Sequence, residues 1–148
     1  MASFQIIIGS MLGASEYVAE ACQETLESLN HEVTLHFTPN LDEIPTQDQV
    51  WLICTSTHGA GDYPDNIQPF VDQVKDREID LSTTHLLTIG LGDTNYDTFC
   101  YAAKNLNKLL ISKGCKEITA PLLHDVQEDI DPEERSAQWI SDLNDQLS

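Results

Sequence analysis

No lysine or arginine occurs before Lys75, and the whole chain has only seven of them against 25 aspartates and glutamates, a formal net charge of -18. A surface so poor in cations repels nucleic-acid phosphates and anionic lipid, because holding either needs neutralising Lys and Arg. Nucleic acid and membrane are therefore not expected as partners. The same imbalance keeps a protein soluble and speeds encounter with a basic partner at low salt. Whatever the first half of the chain binds, it binds with no side-chain cation other than histidine. Cysteines are few: Cys22, Cys54, Cys100 and Cys115 form no CxxC pair, and they are expected as buried free thiols in a reducing compartment. No hydrophobic run reaches membrane-spanning length, and the short apolar stretch near the N-terminus follows no basic region. The expected localisation is cytoplasmic. Repeats, low-complexity tracts and Gly/Ser linkers are also missing.

What remains is ordinary globular material. The 148 residues are 41% hydrophobic, which suits one domain, 1–148, burying roughly 68–70% of the surface its unfolded chain exposes. Short apolar runs alternate with helical patterns, the mark of βαβ units around a parallel sheet. Phe4 to Ile8 is a buried first strand. Val18, Ala21, Cys22, Thr25, Leu26 and Leu29 form one face of a helix whose glutamates lie mostly off it. Glu32 to Phe37 alternates as a second strand, and Val50 to Thr55 is a third, central one. Ile67, Phe70, Val71 and Val74 recur at helical spacing, with Asn66 as the expected cap and Pro69 in the first turn, where its missing N–H costs nothing. His85 to Leu91 is the fourth strand. Phe99, Ala102, Ala103, Leu106, Leu109 and Leu110 mark a further helix that Gly114 ends. Lys116 to Leu123 holds a short fifth strand containing Pro121. A last helix starts near Pro132, with Trp139, Ile140, Leu143 and Leu147 facing inward. The expected fold class is α/β, a doubly wound sheet of five strands.

In such sheets ligands sit beyond the carboxyl ends of the strands, and three strand ends carry unusual loops. The first, Ser10, Met11, Leu12, Gly13, Ala14 and Ser15, brackets a glycine with two hydroxyls at a helix N-terminus, which suits an anion. It lacks the GxxxxGK of a triphosphate loop and the GxGxxG of a dinucleotide fold, so a single phosphate monoester held by N–H and O–H donors fits better. The second runs from Ser56 to Asn66 and begins Ser56, Thr57, His58, Gly59, Ala60, Gly61 and Asp62. Its two glycines let backbone approach a flat ligand closely and reorient a peptide. The third includes Leu91, Gly92, Asp93, Tyr96, Phe99 and Cys100. Tyr96 falls outside any apolar period, among polar neighbours, and suits stacking on a planar ring. Together the loops specify a ligand with one phosphate and a flat, polar-edged head, a description that FMN meets.

These segments resemble the flavodoxin family over essentially the whole chain. Ser-x-x-Gly-x-Ser at 10–15 looks like its phosphate loop. Ser-Thr-x-Gly-x-Gly-Asp at 56–62 and Leu-Gly-Asp-x-x-Tyr-x-x-Phe-Cys at 91–100 look like the flavin-flanking loops of diflavin reductase domains, and above all of the short MioC-type proteins. The resemblance implies a three-layer sandwich around a five-stranded parallel sheet in the order 2-1-3-4-5, and FMN as cofactor. It places the phosphate on the backbone and hydroxyls of Ser10 to Ser15. Thr57, His58 and Gly59 would border the isoalloxazine, with Gly59 near its N5 edge; Leu91, Gly92 and Asp93 would line the pyrimidine side, and Tyr96 would stack on the ring. Two positions depart from the pattern. Leu12 stands where related loops carry Thr, removing one donor. His58 stands where many relatives place Trp or Tyr; imidazole stacks less well and can gain charge near neutral pH, so reduction is expected to depend on pH through it.

The resemblance further implies an electron carrier, not an enzyme, that shuttles single electrons from a flavodoxin reductase to an acceptor enzyme, both docking through basic surfaces. An FMN-binding regulatory or scaffold role without electron transfer is the alternative. Asp62, Asp65, Asp93 and Asp97 are expected near the ring, where their charge opposes its reduction. The sequence shows no general acid–base pair, nucleophile or metal cluster, and His31, His36, His85 and His124 lack ligand spacing. The acidic run from Asp125 to Glu134 reads as a solvated face complementing a helix N-terminus, with a border to the ribityl chain or to a partner as the alternative. A phospho-receiver domain shares this topology, but it needs an acidic pair after the first strand and an aspartate after the third. Gly9-Ser10-Met11 and Thr55-Ser56-Thr57 supply neither.

Overall fold

The structure, a computed structural model, describes residues 2–10, 13–58 and 61–147. Its strands are β1 (Ser3–Gly9), β2 (Glu32–His36), β3 (Val50–Ser56), β4 (His85–Gly92), β5 (Lys116–Glu117) and β6 (Leu122–Asp125); its helices are α1 (Ala14–Ser28), α2 (Gln68–Asp76), α3 (Tyr101–Ser112) and α4 (Pro132–Asp142). The sheet order is β2-β1-β3-β4-β5, with β6 also paired to β4 and every pairing parallel.

Alternation along the strands sorts their side chains to two faces, and both are covered. Phe4, Ile6 and Ile8 of β1, Leu52 and Cys54 of β3, and Leu87, Ile89 and Leu91 of β4 pack with Val18, Cys22 and Leu26 of α1 and Ile140 of α4. Ile7, Trp51, Ile53 and Leu86 point the other way and pack with Phe70, Val71 and Val74 of α2 and with Leu106 and Leu110 of α3. The result is a helix–sheet–helix sandwich. Burial on both sides explains why β1, β3 and β4 read as continuous apolar runs instead of alternating polar and apolar residues. The four cysteines are buried and unbridged.

Three local expectations need correction. The fifth strand is broken in two. Leu86 pairs with Glu117 and Ile89 with Leu122, so the outer segment carries two more residues than β4 between the two ladders. Pro121, which has no N–H to offer, lies in that gap. Phe99 does not belong to the helix whose stripe it completes in sequence. Cys100 sits ahead of α3 in the left-handed region (φ 53, ψ 28), and this turn leaves Phe99 in the preceding loop. Asn66 does not cap α2: Ile67 occupies the cap position and no side chain caps the helix. Other helix ends follow the sequence. Gly114 takes φ +109 after α3, and the Asp131 side chain accepts the Glu133 amide at the start of α4.

Candidate functional site

Parallel strands bring their carboxyl ends to one edge of the sheet, and β1, β3 and β4 all end in loops there. A cavity of about 400 Å³ opens at this edge, within the range of small-ligand sites. Of the residues singled out in sequence, Ser10, Ala14, Ser15, Ser56, Thr57, His58, Leu91, Gly92, Asp93, Tyr96, Phe99 and Cys100 line it. Gly13 and Gly61 do not, and Met11, Leu12, Gly59 and Ala60 lie outside the described residues. Thr98, which falls within the third loop, Gly90 to Cys100, without being singled out there, also lines the cavity, and so does Val126, which was missed. Val126 is an exposed valine inside an acidic run, which reads as solvated surface. The signal that could have found it is position, since it directly follows β6 at the carboxyl edge.

At the phosphate end, Gly13 takes the N-cap position of α1 at φ +89, ψ -10, and no side chain caps the helix. Helix N-termini favour anions. Two donors expected for the phosphate are already engaged. The Ser10 amide donates to Asn66 Oδ1 (2.9 Å), and the Gly13 amide donates to Ser10 Oγ (2.9 Å). Two hydroxyls remain. Ser10 Oγ, having accepted one bond, still has its own proton to donate. Ser15 is 1% exposed, and its Oγ is a buried side-chain polar atom with no hydrogen-bond partner among the described residues. An orphaned buried hydroxyl costs roughly 1–3 kcal/mol, and it lies in the wall of the cavity. A ligand oxygen there would satisfy it. No Lys or Arg lines the cavity, so the donor set suits one phosphate monoester and not a triphosphate.

At the ring end, β3 leads into a turn closed by its own backbone: the His58 and Asp62 amides donate to each other's carbonyls, both at 2.8 Å. The His58 side chain is exposed and plays no part in these bonds. The Thr57 hydroxyl accepts the Ala102 amide (3.1 Å), which ties this turn to the first turn of α3. Gly92 lets the third loop fold back closely, since a Cβ there would stand 2.9 Å from the Cys100 amide nitrogen and 3.1 Å from Phe99 Cδ1. Tyr96 is 65% exposed, leaving a ring face available at the mouth. Of the four carboxylates expected around the ring, only Asp93 lines the cavity; its Oδ1 accepts the Asn95 amide (2.9 Å) and Gln127 Nε2 (3.2 Å). Burial pushes the Cys100 thiol up to about 12, so it stands as a neutral thiol. A phosphate end with an orphaned hydroxyl, an apolar wall of Leu91, Phe99 and Val126, and an aromatic mouth fit FMN.

The remaining histidines have structural partners or lie at the surface. His31 accepts the Ala2 amide on Nδ1 (2.9 Å) and bonds Asn144 through Nε2 (3.0 Å). His36 bonds Gln5 (2.7 Å), and buried His124 bonds Ser136 (2.8 Å). His85 is exposed.

Comparison with known proteins gives a consistent picture. The family model described as Flavodoxin matches residues 6–139. The chain is 40% identical to the protein MioC homolog of Pasteurella multocida, over 96% of each chain. It is 35% identical to flavodoxin YqcA of Escherichia coli K12, over 100% of each. A solved cysteine-to-alanine variant of flavodoxin from Pseudomonas aeruginosa matches it with a TM-score of 0.89, at 30% identity over 98% of both chains.

Proposed function

The chain belongs to the flavodoxin family and its cofactor is FMN; from this premise we propose that it is a one-electron carrier, serving between a flavodoxin-type reductase and an acceptor enzyme. When bound, FMN supplies the electron chemistry, and the protein supplies binding, orientation and electrostatics. The hydroxyls of Ser10 and Ser15 would hold the phosphate without a cation. Leu91, Phe99 and Val126 would keep water from the ring, and Tyr96 and His58 would flank it. The Asp93 carboxylate, which lines the cavity, disfavours added negative charge on the ring. This makes the reduced carrier a stronger donor.

The observation that carries the reading is the mouth of the site. An exposed Tyr96 and Val126 stand where the cavity meets solvent, so a partner's cofactor could approach directly. Burial holds the one thiol of the lining, Cys100, protonated. The net charge of -18 supports reductase and acceptor partners that dock through basic surfaces, and disfavours nucleic acid and membrane. No helix among the described residues is long and apolar enough to cross a membrane.

The test is stopped-flow reduction of the FMN-loaded protein by a flavodoxin reductase at rising ionic strength. We expect reduction, with a rate that falls steeply as salt is added. A rate indifferent to salt would remove the electrostatic docking. Absence of reduction at every salt concentration would overturn the carrier reading in favour of a regulatory role.

A further inference from the structure

We infer that Asn66 is a positioning residue that sets the preference for phosphorylated over unphosphorylated flavin, although it does not line the cavity. The inference rests on the FMN reading above. Asn66 stands in the loop between β3 and α2, and its side chain ties that loop to two other pieces of chain, the ends of β1 and β2. Oδ1 accepts the Ser10 amide (2.9 Å), while Nδ2 donates to the carbonyl of Ile8 (2.8 Å) and to that of Phe37 (2.9 Å). Both amide protons and one oxygen lone pair are thus committed. Ile8 and Ser10 flank the end of β1, and Phe37 follows the end of β2. One side chain therefore fixes where the chain leaves the sheet for the phosphate loop.

The next link is Ser10 itself. With its backbone held by Asn66, its Oγ accepts the Gly13 amide (2.9 Å), which sets the rotamer of the hydroxyl and anchors the start of α1. Ser10 and Ser15 then line the same cavity. Removing the Asn66 amide would leave the Ser10 N–H and the Ile8 carbonyl without their partner and would release Ser10 from that arrangement. The ring end has separate supports. The His58 turn is closed by its own backbone bonds to Asp62, and Thr57 is held by the Ala102 amide. Loss of Asn66 should therefore be felt where the phosphate sits and scarcely at the ring.

The experiment is fluorescence titration of the apoprotein with FMN and with riboflavin, for the wild type and for Asn66→Ala, with far-UV circular dichroism to establish that the variant is folded. Wild type should prefer FMN. In Asn66→Ala the ratio of riboflavin Kd to FMN Kd should fall about tenfold or more, through weaker FMN binding and nearly unchanged riboflavin binding. Equal weakening of both ligands would mean a merely structural role and would overturn the inference. A wild type that binds neither flavin would instead overturn the cofactor reading. Amide exchange in the wild-type apoprotein keeps the idea testable if the alanine variant does not fold. The Ser10 amide should be protected without any ligand. A Ser10 amide that exchanges freely until FMN is added would contradict the role given to Asn66.

Discussion

The carboxylate of Asp125 accepts hydrogen bonds from both the hydroxyl (2.5 Å) and the amide (3.2 Å) of Thr94. It also accepts the Gln127 amide (3.0 Å), while the Val126 amide donates to the Gly92 carbonyl (2.9 Å). The loop carrying Tyr96 is therefore latched to the end of β6, and Asp125 belongs to the support of the ring site as well as to the acidic surface. The Thr94 hydroxyl first, and the Gln127 amide next, hold the Asp125 carboxyl below the usual carboxylate range. Asp125→Ala should raise the Kd for FMN about three- to tenfold by freeing the Tyr96 loop, with little change in Tm. An unchanged Kd in a fluorescence titration would show that the loop needs no latch. The sign with pH follows from the lowered carboxyl: the latch is present above the ordinary carboxylate range and is lost as pH falls through the lowered value.

Ser15 yields a prediction with two opposite signs. Its hydroxyl is buried without a partner among the described residues, so Ser15→Ala should leave the apoprotein as stable as wild type or more stable by about 1 kcal/mol. The same change should weaken FMN binding about tenfold and leave riboflavin binding unaltered. Thermal melts of the apoprotein and paired titrations check both signs. A destabilised apoprotein with normal FMN affinity would show that the hydroxyl serves the fold and not the ligand.

Gly92→Ala should damage the third loop, because its Cβ would meet the backbone nitrogen of Cys100 at 2.9 Å and the Phe99 ring at 3.1 Å. Backbone cannot swing aside as a flexible side chain does. We expect a loss of about 1–3 kcal/mol in urea unfolding, together with reduced FMN affinity. A variant as stable as wild type would mean that the loop has room the geometry does not show.

His124 should make stability acid-sensitive. Burial, and secondarily the charge of Arg135, push its pKa from 6.5 to about 4. Between these values the unfolded chain binds a proton that the native chain refuses. Stability from this source is therefore complete above the unfolded value and is lost as pH falls toward the folded one, by about 3 kcal/mol at most. His124→Asn has no proton to gain and should lose less stability than wild type between pH 7 and pH 4.5. Parallel losses in urea unfolding at the two pH values would contradict the assignment.

Much of this architecture was legible because its physics is local. β1, β3 and β4 are buried on both faces, so their apolar runs needed no context. Tyr96 stood out because it broke an apolar period, and its exposure at the cavity mouth has the same cause. The misses occur where a side chain serves something distant. Asn66 precedes a helix and so looks like its cap, yet its partners Ile8, Ser10 and Phe37 come from elsewhere in the chain. Phe99 completes a helical stripe, and only the left-handed turn at Cys100 removes it. Asp125 sits in a run of carboxylates, and nothing in the run marks it as the one that holds Thr94.

The most direct measurement is the stoichiometry of FMN fluorescence quenching by the folded apoprotein. We expect a break at one FMN per chain, with the spectrum of a bound flavin. FMN fluorescence that stays unaltered through excess protein would contradict the reading of the carboxyl-edge cavity as a flavin site.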